Sequence, residues 1–143
     1  MTIHMIKLAV GVEDVDHLAE LQQNRIAQNV AQGLSPNPRH FTRMTPRRQS
    51  KLLDGGSIYW VIKGVVRVRQ ELVGFEGYTD EEGVNRCAIV LDPELVHTQG
   101  RPHRAFQGWR YLEPAKAPPD AKENDNAELP QELARDLEAL GLL

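Results

Sequence analysis

Ser57-Ile58-Tyr59-Trp60-Val61-Ile62, then Lys63-Gly64, then Val65-Val66-Arg67-Val68-Arg69, is the stretch that decides the fold. Its first six residues combine aromatic and β-branched side chains, which suit a pleated, half-buried surface. Gly64 ends that run. From Val65 the polarity alternates, with Val66 and Val68 on one face and Arg67 and Arg69 on the other. That is the period of a strand. Gly74 inside the run marks a bulge or the end of pairing. Thr79-Asp80-Glu81-Glu82-Gly83 makes a polar loop, and residues 86–91 make a return strand, so 65–91 reads as a hairpin.

Working outward, residues 3–10 read as a first strand closed by Gly11. Residues 13–32 read as a helix, with Glu13, Asp14 and Asp16 in its first turn, where carboxylates favour the positive dipole end. Val15, Ala19, Ile26 and Val30 share one helical face, with Leu18 beside them. Pro36 and Pro38 make residues 33–45 irregular. A short helix follows, capped by Thr45 with Pro46 in its first position, and ends at Leu53. Asp54-Gly55-Gly56 then turns the chain. Residues 95–98 and 105–112 are two further strands flanking Gln99-Gly100-Arg101-Pro102.

Consecutive strands joined by short turns are antiparallel. The expectation is an α+β domain over residues 1–112, built on a small, mostly antiparallel, barrel-like sheet with one long and one short helix. Residues 113–128 hold Pro114, Pro118 and Pro119 among small and charged side chains and read as a linker. Residues 129–143 read as a C-terminal amphipathic helix, striped by Leu129, Leu133, Leu137 and Leu140.

A chain of 143 residues with 41% hydrophobic and 26% charged side chains is ordinary for one globular domain. Its apolar runs fall short of the roughly 20 residues of a membrane helix. The first ten residues are too short and too interrupted for a secretory signal. The cytoplasm is the default expectation. A single cysteine, Cys87, excludes an intrachain disulfide framework and reads as a small buried thiol. His4, His17, His40, His97 and His103 form no metal-binding spacing, so no metal and no cofactor is expected. Nucleophile elbows and phosphate-binding glycine loops are absent from the sequence.

What remains is a basic run. Residues 39–51 carry Arg39, Arg43, Arg47, Arg48 and Lys51 without one acidic residue, interleaved with His40 and Phe41. Cations in the first turns of a helix oppose its dipole, so helix stability does not explain them. A second set, Arg101, His103, Arg104 and Arg110, flanks Phe106 and Trp109. A solvated basic surface accounts for these residues. Arginine interleaved with aromatic rings also suits single-stranded nucleic acid or a nucleotide, through charge and stacking. On that reading the binding residues are Arg39, Arg43, Arg47, Arg48, Lys51, Trp60, Lys63, Arg104, Phe106 and Arg110, and the partner is RNA or a nucleotide. Two other readings stay open. One is an enzyme acting on a nucleotide or RNA, with His40, His103 or Lys63 as acid or base. The other is an adaptor that engages a partner through its C-terminal helix. The sequence leaves the oligomeric state unassigned.

Four segments carry a resemblance. They are Pro38-Arg39-His40-Phe41-Thr42-Arg43-Met44, residues 53–64, Leu91-Asp92-Pro93-Glu94-Leu95-Val96, and Phe106-Gln107-Gly108-Trp109-Arg110-Tyr111-Leu112. Together they resemble a bacterial family of short proteins classed only as a domain of unknown function, which brings no assigned activity. The order of elements is also similar to the PUA-like and ASCH-like small β-barrels: a helix, a Gly-Gly turn, a Trp strand ending in Lys-Gly, a basic hairpin strand and a Gly-Trp-Arg. That resemblance implies a cleft for RNA or modified nucleotides near Arg39, Arg43, Trp60, Lys63 and residues 101–110.

Overall fold

In the computed structural model, which describes residues 2–121, the elements follow as β1 (His4–Leu8), α1 (Val15–Ala31), β2 (Arg39–Thr42) and α2 (Gln49–Leu52). Then come β3 (Ser57–Ile62), β4 (Val65–Thr79), β5 (Asn85–Leu91), β6 (Val96–Pro102) and β7 (Trp109–Leu112). A 3₁₀ turn, Pro114–Lys116, closes the list.

The β3–β4 hairpin is the centre of the molecule. Its two-residue loop places Lys63 at φ 49° and Gly64 at φ 80°. Positive φ at both loop residues is the type I′ turn, whose twist matches that of the flanking strands. β5 pairs with the distal half of β4, and the register slips between Leu72 and Gly74, the bulge expected at that glycine. β6 pairs with the proximal half of β4, and β2 with β5. β1 lies parallel to β3, with Lys7 opposite Trp60, and β7 lies antiparallel to β1.

The strand order is β2-β5-β4-β3-β1-β7, with β6 attached to β4. The sheet is mixed, mostly antiparallel and open. This corrects the barrel expectation: β2 and β7 stand at opposite ends of the order and do not pair. Closure fails because β1 enters beside β3 in parallel, leaving β7 to pair with β1, while β2 takes the outer edge of β5.

Both faces of β3 are covered, which explains a run of six buried residues without alternation. On the first face Ile58, Trp60 and Ile62 pack with Met5, Val68, Leu72, Ile89, Leu91 and Trp109, beneath Leu18 of α1 and Leu52 of α2. On the second face Tyr59 and Val61 pack with Ile6 and Val66, joined by Phe106, Leu112 and Ala117.

Four local expectations change. The Asp14 carboxylate caps α1 by accepting the His17 N–H at 2.8 Å, and Leu18 and Gln22 are buried on the expected face beside half-buried Val15, Ala19 and Ile26, but Val30 leaves that face, 58% exposed. α2 is a single turn starting at Gln49, and its cap residue Arg48 makes no side-chain cap bond, so Thr45 and Pro46 do not start it. β2 forms inside the stretch read as irregular, and β6 runs through Gln99-Gly100-Arg101-Pro102.

Residues 113–121 return along the sheet. The Gln99 N–H donates to the Pro119 carbonyl and the Ala121 N–H to the His97 carbonyl, each at 2.9 Å. Arg69 holds Asp120 by two bonds of 2.7 and 2.9 Å. The C-terminal helix expected over 129–143 lies outside the described residues.

Candidate functional site

α1, the loop before it, β2 and β3 enclose a cavity of about 120 Å³. Its floor is apolar: Leu18, Trp60, Leu91, Pro38 and Val12. Arg25, Arg39 and His40 supply its charge and hydrogen-bonding capacity, and no carboxylate lines it. Val10 and Leu21, 83% and 42% exposed, put apolar surface at its mouth.

The strand period aims these groups. β2 turns His40 inward, where its ring meets Trp60 edge to face at 5.1 Å. Burial, with Lys7 and then Arg25 nearby, pushes the imidazole down to about 4, so it is neutral near pH 7. Its Nε2 is buried without a hydrogen-bond partner. β-sheet register sets Lys7 between Trp60 and Trp109. Lys7 is half-buried, and desolvation lowers its pKa.

The polar groups behind Trp60 satisfy one another. Gln22 and Gln70 exchange amide hydrogen bonds of 2.8 and 2.7 Å, and the Trp60 indole donates to the same Gln70 oxygen at 2.8 Å. Gln70 also donates to the Asp92 carbonyl. Arg39 is occupied as well: its Nε donates to Glu76 at 2.8 Å, and its other nitrogens reach Asn37 and Ser35. Arg25 donates one hydrogen bond, from Nη1 to the Arg39 carbonyl at 3.1 Å. Its remaining N–H groups are the ones available to an anion.

The structure sorts the ten residues read as a binding surface into separate groups. Arg39 and Trp60 share the cavity. Arg43 is exposed beyond the end of β2. Arg47, Arg48 and Lys51 lie at α2, where the Arg47 and Arg48 N–H groups donate to the Tyr111 hydroxyl and the Arg48 guanidinium stands 5.3 Å from that ring. Lys63 sits in the hairpin turn, paired with Glu13. Phe106 and Arg110 belong to the second face, with the guanidinium 5.0 Å from the Phe106 ring. Arg104 is exposed nearby in sequence. The three acid–base candidates are equally dispersed: His40 lines the cavity, Lys63 pairs with Glu13, and His103 packs on Phe106.

Arg25, Gln22 and Gln70 were not legible as site residues. The only signals are a glutamine, Gln22, on the buried side of a helix and a lysine, Lys7, inside an apolar strand.

A second, open groove of about 380 Å³ runs between His4, Ser57, Tyr59, Arg69 and residues 114–120. Its one arginine is taken, since Asp120 and the Ser57 hydroxyl both bond Arg69. Among the described residues no group of three or more His, Cys, Asp or Glu can hold a metal ion, and no helix is long and apolar enough to cross a membrane.

Fold and cavity together define an open-sheet α+β protein with an aromatic pocket flanked by cations. The chain belongs to the family described as Protein of unknown function (DUF1489), whose model matches residues 5–143. No curated protein and no solved structure matches it. The likeness to PUA-like and ASCH-like barrels therefore has no support, and the open sheet departs from it.

Proposed function

We propose that the protein binds RNA or a nucleotide, and that the cavity beneath α1 is where it does so. A base enters against the half-buried His40 ring, above a floor that includes Trp60, 2% exposed, and its phosphate meets Arg25, held at the mouth by the Arg39 carbonyl. One observation carries this reading: the cavity joins an aromatic wall to cations and contains no carboxylate. Glu76 compensates the charge of Arg39, so the attraction for an anion beside these low-dielectric walls falls to Arg25, whose hydrogen bond goes to a carbonyl. Aromatic faces accept any base, each stacked base being worth roughly 1–3 kcal/mol.

Calorimetric titration of the protein with uridine monophosphate at low salt tests the proposal. Binding should weaken as salt rises, because counterions compete for the phosphate site. Arg25→Gln should weaken it about tenfold, the worth of one charge-assisted hydrogen bond. Absent binding at low salt, or binding indifferent to Arg25→Gln, overturns the proposal.

A further inference from the structure

We infer that the cavity takes a single nucleotide bearing a terminal phosphate, and not an internal stretch of an RNA strand. This rests on the function proposed above and narrows its ligand. Three observations carry it.

The first is size. A cavity of about 120 Å³ lies well below the roughly 300–1,000 Å³ of sites that engulf whole drug-sized ligands. It admits one ring system and leaves the sugar and phosphate at the mouth. The second is the missing track. Sequence-tolerant strand binders combine a continuous basic groove with several stacking rings. Here the Arg48 guanidinium stands over Tyr111, Lys63 pairs with Glu13, and Arg110 covers Phe106 on the opposite face of the sheet. At the cavity mouth Arg25 stands one helical turn from Leu21 on α1 and bonds the Arg39 carbonyl, so the two arginines form one short cationic edge. A phosphate with two negative charges suits that single cationic edge better than a diester does. The third is the closed amide network. Gln22, Gln70 and the Trp60 indole bond one another, so little of their capacity is left to read a base edge. Recognition then comes from stacking and the phosphate, with little preference among bases.

A ligand panel on the full chain decides this by calorimetry. It comprises the four ribonucleoside monophosphates, uridine, and a ten-residue oligouridine with either a 5′-phosphate or a 5′-hydroxyl. The monophosphates should bind within a few-fold of one another, and uridine about tenfold or more weakly, because a charge-assisted contact is lost. The 5′-phosphorylated oligomer should bind through its end, and the 5′-hydroxyl oligomer no better than uridine. Binding by the phosphorylated oligomer alone identifies an RNA end as the source of the terminal phosphate; equal binding by the monophosphates identifies a free nucleotide. A 5′-hydroxyl oligomer that binds as tightly as its phosphorylated twin overturns the inference and leaves the proposed function standing. Tenfold or greater discrimination among bases also overturns it, since base contacts are worth about 1–3 kcal/mol each. If none of the panel binds, the proposed function falls with it.

Discussion

His40 shows how one residue's surroundings set its chemistry. A histidine on a basic strand is easily read as one more cation, yet its ring is turned inward against Trp60 and is held neutral by burial and by Lys7 and Arg25. Its pKa is about 4 in the folded protein and 6.5 when unfolded. As pH falls through this window the unfolded chain takes up the proton first. The contribution of the neutral ring is therefore complete above pH 6.5 and is lost progressively toward pH 4, on the order of 3 kcal/mol in all. His4, also lowered by burial, titrates in the same direction. Urea unfolding at about pH 7.5 and about pH 5 should show this loss, and His40→Phe should remove the larger part of it. If the variant and the parent protein lose the same stability on acidification, His40 is not the buried neutral group described here.

At the scale of elements, the legible parts were those where local chemistry and burial agree. The Lys63-Gly64 turn, the bulge at Gly74 and the hairpin built around them are all written in alternation and glycine. α1 and its inward face were legible, since Leu18 is buried and Val15, Ala19 and Ile26 half-buried on it, but the burial of Gln22 was not, because its partner Gln70 lies 48 residues away. No periodicity in α1 can announce a partner on β4. β2 was hidden by its flanking prolines, since its pairing energy comes from β5 and not from its own four residues. In β7 the strand period sets the faces: Trp109 is inward, with Tyr111 at 4.9 Å, and Arg110 is outward over Phe106. Phe106 differs from a bare stacking platform because it packs into the second-face cluster. Trp109→Ala should cost roughly 3–5 kcal/mol, since the indole also donates to the Met44 carbonyl. Phe106→Ala should cost about 1–2 kcal/mol, within the ordinary range for a half-buried side chain. Equal losses in chemical denaturation would mean that the two faces are packed alike, against the structure.

For the molecule as a whole, charge summed along the chain does not say which surface the charges share. Residues 39–110 carry four more basic than acidic side chains, but folding distributes them over α2, both sheet faces and several ion pairs. The cations that converge with an aromatic wall come from Arg25 and Arg39, contributed by two elements that only the tertiary fold brings together. The barrel expectation failed for a related reason, since strand order beyond neighbours depends on long-range pairing such as β1 with β3. Nuclear magnetic resonance reads the location of the proposed binding site directly. Titration of isotopically labelled protein with uridine monophosphate should shift the Trp60 indole, the His40 ring and the Arg25 side chain. The Trp109 indole, bonded to Met44 away from the cavity lining, should stay in place. Shifts confined to residues 47–51 or 101–110, with Trp60 and His40 unmoved, would put the ligand outside the cavity beneath α1.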